Sequence, residues 1–148
     1  MTVKPIPDGF HTVTPYLIVS GVATLIDFLQ QAFDAQPLLN PMVRSDGSIG
    51  HAEVKIGDSV VMMGEPMGDM QAMPGSIYLY VQDTDAVYQR ALQAGATSLM
   101  EPADQFYGDR SAGVKDLAGN QWWIATHKED VPPAEMLKRA KAAGLQPR

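Results

Sequence analysis

The chain repeats itself, weakly but in order, and that repeat limits its fold more than any other feature. Pro15-Tyr16-Leu17-Ile18-Val19 precedes a helical pattern, and so does Ile77-Tyr78-Leu79-Tyr80-Val81. Each unit continues into strand-like segments and a turn, Gly57-Asp58 in the first and Gly119-Asn120 in the second. An apolar strand follows each turn: Val60-Val61-Met62-Met63, then Trp122-Trp123-Ile124-Ala125. A unit used twice points to two copies of one supersecondary motif sharing a core. The pattern predicts an α+β chain of two tandem βαβββ modules, over residues 10–66 and 75–127. The Met-, Gly- and Pro-rich stretch 67–74 reads as a linker loop. Residues 128–148 read as a tail with a short helix, opened by Pro132-Pro133 and closed by Gly144.

The helices are marked by period and by punctuation. Val22, Leu25, Ile26, Leu29 and Phe33 form one apolar stripe, with Ser20 as the expected N-cap and Pro37 marking the end. In the second module Asp83 is the expected N-cap and Val87, Tyr88, Ala91 and Leu92 the buried stripe. Gly95 suits the position just past that helix.

Strand alternation sorts side chains onto two faces. Val13, Leu17 and Val19 fall on one side of the first strand; Thr12, Thr14, Tyr16 and Ile18 fall on the other. Ile77, Leu79 and Val81 alternate with Ser76, Tyr78 and Tyr80. The apolar sets should face the helices. The hydroxyl and aromatic sets suit either a ligand-contacting concave face or a solvent-facing sheet. A two-residue turn at Gly57-Asp58 makes Ile56 and Ser59 partners, and counting back pairs Val54 with Val61 and Glu53 with Met62. His51, Glu53, Lys55, Val60 and Met62 then share the concave face.

Bulk properties exclude several function classes. The chain of 148 residues has no cysteine, so thiolate chemistry, disulfides and Cys-based zinc sites are absent. A net charge of −6 argues against a nucleic-acid partner and is compatible with a cationic ligand or with simple solubility. No long apolar run suggests a membrane span. Met1-Thr2-Val3-Lys4-Pro5 does not read as a secretory leader, so a cytoplasmic location is expected.

Four segments carry a resemblance: Thr12-Val13-Thr14-Pro15-Tyr16-Leu17, the run from Gly50 to Asp58, Phe106-Tyr107-Gly108-Asp109-Arg110, and the run from Lys115 to Trp122. Ile124 to Asp130 closes it. In order and spacing the chain resembles the vicinal-oxygen-chelate superfamily, which includes glyoxalase I, bleomycin-resistance proteins and extradiol dioxygenases. It looks most like the PhnB-like branch. The resemblance implies a cupped mixed sheet and a homodimer. Metal-dependent members draw one His, Gln or Glu from each of four strands. The flanking motifs carry those positions onto Thr14, Met62, Ser76 and Trp123, a poor donor set for a divalent ion. A metal is therefore disfavoured and no cofactor is expected.

Three functions follow as expectations. The first is metal-independent binding of a small organic molecule, cationic or aromatic, as the resistance-type members do. Thr14, Tyr16, Met62, Ser76, Tyr78, Tyr80, Tyr107, Arg110 and Trp123 would contact it. Tyrosine and tryptophan faces suit such ligands. Arg110 either clamps a ligand anion or pairs with a nearby carboxylate. The second is a lyase, isomerase or transferase using His51 and Glu53 as acid and base. The third is a dimeric scaffold with a vestigial cup. Trp122 is expected to face the helices.

Overall fold

A computed structural model describes residues 2–146 and 148 of the chain. Met1 and the Pro147 position of the tail lie outside the described residues. The elements run β1 (Tyr16–Ile18), α1 (Val22–Phe33), β2 (Gln36–Pro37), β3 (Met42–Val43), β4 (Ile49–Ile56), β5 (Ser59–Gly64), β6 (Ser76–Tyr80), α2 (Thr84–Gln93), β7 (Thr97–Asp104), β8 (Asp109–Lys115), β9 (Gln121–His127) and α3 (Pro133–Ala142).

The two halves repeat one topology. The first sheet runs β1-β5-β4-β2, with β3 also on β4, and the second runs β6-β9-β8-β7. In each, the first strand lies parallel to the last, and the remaining pairs are antiparallel. The Gly57-Asp58 turn sets the expected register: Ile56 opposite Ser59, Val54 opposite Val61, Glu53 opposite Met62.

Apolar alternation drives the layering. Leu17, Ala52, Val54, Ile56, Val61 and Met63 are buried beneath α1 together with Val22, Leu25, Phe28, Leu29 and Phe33. Trp122 and Ile124 are fully buried on the helix side of the second sheet, with Tyr88 and Ala91 of α2 in the same core. Phe33 meets Trp122 with ring centroids 5.1 Å apart, so one core spans both modules. Trp122 thus faces the helices, and its indole N–H donates to the buried Asp116 at 2.8 Å.

Four local expectations are corrected. Ser20 does not cap α1: the cap is Gly21 in a left-handed conformation (φ 75°), and its N–H donates to Glu65 Oε1 instead. Val13 does not face the helices but is 82% exposed, because β1 begins only at Tyr16. The second turn is longer than Gly119-Asn120, since β8 ends at Lys115 and β9 begins at Gln121. Phe28 and Ala32 join the α1 core, a wider face than the expected stripe. Asp83 caps α2 as expected, accepting from Ala86 N at 3.1 Å. No described helix is long and apolar enough to cross a membrane.

Candidate functional site

On the first sheet, the face opposite α1 carries a connected row of polar groups. The register puts Tyr16 beside Met62 and Met62 beside Glu53, across three neighbouring strands. Tyr16 OH lies 3.1 Å from His51 Nδ1, and His51 Nε2 lies 2.7 Å from Glu53 Oε2. The Glu53 carboxylate accepts, so Nε2 carries a proton, and in the neutral ring Nδ1 is left to accept from the phenol. His51 and Glu53 come together because residues two apart on a strand share a face.

On the second sheet the equivalent face is organised around Asp109, the first residue of β8, which is only 3% exposed. Its Oδ2 accepts from Tyr78 OH at 2.8 Å and from Tyr80 OH at 2.9 Å. Its Oδ1 lies 2.8 Å from His127 Nδ1, and His127 Nε2 lies 2.7 Å from Asp130 Oδ1. Both histidine partners are carboxylate oxygens, which only accept, so the arrangement favours the imidazolium, in which both ring nitrogens donate. The Asp109 hydrogen bond, then that of Asp130, raises His127 above its ordinary value. Burial by itself would raise Asp109, but the bonds from His127, Tyr78 and Tyr80 outweigh it and hold the carboxyl below the usual range. Burial, then the bonds to Tyr107 and Asp109, keeps Tyr78 a phenol well beyond the usual tyrosine range. The Asp109 bond does the same for Tyr80. The two rings stand 5.3 Å apart at 58°, and 43% of Tyr78 and 63% of Tyr80 remain exposed.

Trp123 lies beside Tyr78 in the register and donates from Nε1 to Ser76 Oγ at 3.0 Å. It lies flat across Gly113, where a Cβ would come 2.4 Å from the indole. Tyr107 reaches this group through its hydroxyl, 3.4 Å from that of Tyr78. The structure thus brings together Ser76, Tyr78, Tyr80 and Trp123 on one sheet, with Tyr107 of the β7–β8 turn beside them, and Tyr16, Met62, His51 and Glu53 on the other.

Arg110 does not join either group. One residue after Asp109, it projects to the helix side, where it binds Asp85 of α2 (3.0 Å) and Asp104 of β7 (3.2 Å). Thr14 precedes β1, and its hydroxyl donates to His11 O at 3.2 Å. At the four positions where metal-dependent relatives place ligands, Met62 and Trp123 offer no suitable donor, and both hydroxyls are already engaged within the chain. Among the described residues, no three His, Asp or Glu side chains gather to hold a metal ion.

Beside the second sheet, along β6, lies a cleft of about 930 Å³ between the modules. Phe33, Val60, Ile77, Leu79 and Trp122 give it apolar walls, and Thr14, Lys55, Tyr78 and Tyr80 supply polar groups. Of the expected ligand contacts it includes only Thr14, Tyr78 and Tyr80. Sequence reasoning missed Asp109 and His127 as site residues. The available signal was alternation: Asp109 and His127 are direct partners in the β8–β9 register, on the Tyr78 face.

The Glyoxalase/Bleomycin resistance protein/Dioxygenase superfamily model matches residues 9–124. An uncharacterized protein of Mycobacterium bovis is 33% identical over 142 residues, which cover 88% of this chain and 93% of that one. Among solved structures, TioX from Micromonospora sp. ML1 is similar with a TM-score of 0.66 at 24% identity, covering 79% of this chain and 98% of the other. Lactoylglutathione lyase from Agrobacterium tumefaciens is similar with a TM-score of 0.60 at 17% identity, covering 83% and 96%. These two structural likenesses speak for the fold alone. With both βαβββ halves in place and the match running through most of its length, the chain belongs to the glyoxalase/bleomycin resistance protein/dioxygenase superfamily.

Proposed function

We propose that this protein binds a small aromatic or cationic organic molecule, without a divalent metal, against the tyrosine pair of the second sheet. One observation carries the reading: Tyr78 and Tyr80 are locked by a single buried carboxylate and line a cleft of ligand size, about 930 Å³. Rings fixed in advance lose little freedom when a ligand stacks on them. Phenols that donate to a carboxylate are also richer in electron density, which favours a cation over the ring face. The donor set at the four family ligand positions does not fit a divalent ion, so no step is drawn through one.

Assignment to the PhnB-like branch, a cytoplasmic location and a homodimer belong to the same proposal. Support for the dimer comes from the two polar faces. Among the described residues, no hydrogen bond joins the Tyr16–His51–Glu53 row to the Asp109 group, and β1 and β6 each border their sheet. A second copy could complete both faces.

The test combines two measurements on the purified protein. Elemental analysis is expected to find zinc, nickel and iron far below one equivalent per chain. A thermal-shift panel of planar organic cations is expected to contain stabilising members whose effect is lost in Tyr80→Leu. Stoichiometric metal would overturn the metal-free reading. An unresponsive panel would overturn the binding reading and favour a scaffold with a vestigial cup.

A further inference from the structure

One short chain of groups joins the tyrosine pair of the second sheet to solvent. Asp109 takes Tyr78 and Tyr80 on Oδ2, at 2.8 and 2.9 Å, and meets His127 Nδ1 through Oδ1 at 2.8 Å. The Asp109 side chain is 3% exposed and that of His127 49%. A buried carboxylate thus stands between two phenols and an imidazole that exchanges protons with bulk water. No lysine or arginine is bonded to Asp109 among the described residues, so His127 is the cation in contact with it. The other charges nearby are held elsewhere. Asp130 meets His127 Nε2 at 2.7 Å from a fully exposed position. Glu129 is tied to Arg139 of α3, and Arg110 to Asp85 and Asp104. Lys128 lines a separate hollow at the start of α2, and Tyr107 reaches Tyr78 through its hydroxyl.

We infer that His127 sets the cation affinity of the tyrosine pair: the rings hold a planar cation weakly while His127 is an imidazolium and more tightly once it is neutral. This rests on the reading of Tyr78 and Tyr80 as a cation-binding face. With the imidazolium in place, Asp109 is half of a neutral pair, and little net charge lies behind the rings. Loss of the His127 proton leaves the carboxylate uncompensated behind both phenols, where burial weakens screening. Its field then adds to the attraction of the ring faces for a cation. A neutral imidazole keeps one N–H, and the buried Asp109 retains it; the bond given up is the exposed one to Asp130. The rings therefore stay in place while the charge behind them changes. The Asp109 bond, then that of Asp130, raises His127 from 6.5, so the switch works above that pH. By linkage, a bound cation lowers the His127 midpoint in return.

The test uses N-methylquinolinium, a planar cation with no proton to lose, and neutral 1-methyl-2-quinolone beside it. Each is titrated into the intact protein at about pH 5.5 and about pH 9, on either side of an ordinary histidine. The cation is expected to bind about fivefold tighter at the higher pH, and the quinolone equally at both. His127→Gln, uncharged throughout, should bind the cation at both pH values as the parent does in alkaline buffer. His11 and His51 still titrate in that variant, so a flat profile isolates His127. A second readout needs no variant: the Cε1 proton resonance of His127 should titrate at lower pH when the cation is bound. Equal cation affinity at both pH values overturns the switch and leaves the binding face standing. So does a pH dependence kept by a folded His127→Gln variant, or a His127 midpoint that saturating cation does not move. A cation that binds at neither pH removes the binding reading, and the switch with it.

Discussion

His127 Nδ1 and Asp109 Oδ1 meet at 2.8 Å, joining the end of β9 to the start of β8. The folded value of His127 is raised from 6.5, first by Asp109 and then by Asp130. Its contribution to stability is therefore complete below about pH 6.5 and is lost as pH climbs through the raised value. Asp109 runs the other way. Lowered from 3.8, it contributes above that value and loses its effect as pH falls through the lowered one. His127→Gln should thus depress Tm most between about pH 4 and 6.5, and least in alkaline buffer. Melting curves of both proteins across this range check it; a Tm gap that stays constant with rising pH counts against the ion pair.

Gly113 and Trp123 make a second, steric relationship. A Cβ at position 113 would come 2.4 Å from Cζ3 and 2.7 Å from Cε3 of the indole. In Gly113→Ala the ring must lift, breaking its 3.0 Å bond to Ser76. The expected cost is about 1–3 kcal/mol in denaturant unfolding, with altered tryptophan emission. An unshifted spectrum and full stability would show that the ring does not lie on the glycine.

How much of this was legible beforehand depended on the range of the signal. The register of β4 and β5 was readable because the Gly57-Asp58 turn fixes every later pair, and with it the shared face of His51 and Glu53. Trp122 was placed correctly by its neighbours in the apolar alternation. Of the two readings open for Arg110, ligand clamp or partner of a nearby carboxylate, the structure has the pairing, though with Asp85 and Asp104. The strand starts at Asp109, so alternation turns the acid inward among tyrosines and sends the arginine to α2. Val13 was misplaced because nothing local shows that β1 begins as late as Tyr16. Tyr16 could be set on the right face, but its meeting with His51 depends on β1 and β4 flanking β5, which no local pattern reveals.

Asp116 is the anchor of the β8–β9 connection. It is 5% exposed and accepts from Ala118 N, Asn120 N, Asn120 Nδ2 and Trp122 Nε1, all within 3.0 Å. Asp116→Ala strands the amide of the buried Asn120 and the indole N–H of Trp122 without acceptors. The loss should be about 3 kcal/mol or more, with Asp116→Asn costing less because it keeps one acceptor oxygen. Urea unfolding of the two variants distinguishes these outcomes, and equal costs would mean that charge, not the acceptor count, holds the loop.

The tyrosine pair offers the sharpest separation between ligand stacking and simple packing. Tyr80 is 63% exposed and its hydroxyl is held 2.9 Å from Asp109, so the ring adds little to the core. For a planar cation identified by thermal shift, Tyr80→Leu should weaken binding by about tenfold, the size of one cation–π contact of roughly 1–2 kcal/mol. Tyr80→Phe keeps the ring and loses only the tether, so it should fall between parent and Leu. Titration calorimetry on the three proteins reads the order directly. If Phe and Leu are equally poor, the hydroxyl network and not the ring face makes the contact. If all three bind alike, Tyr80 lies outside the ligand's reach.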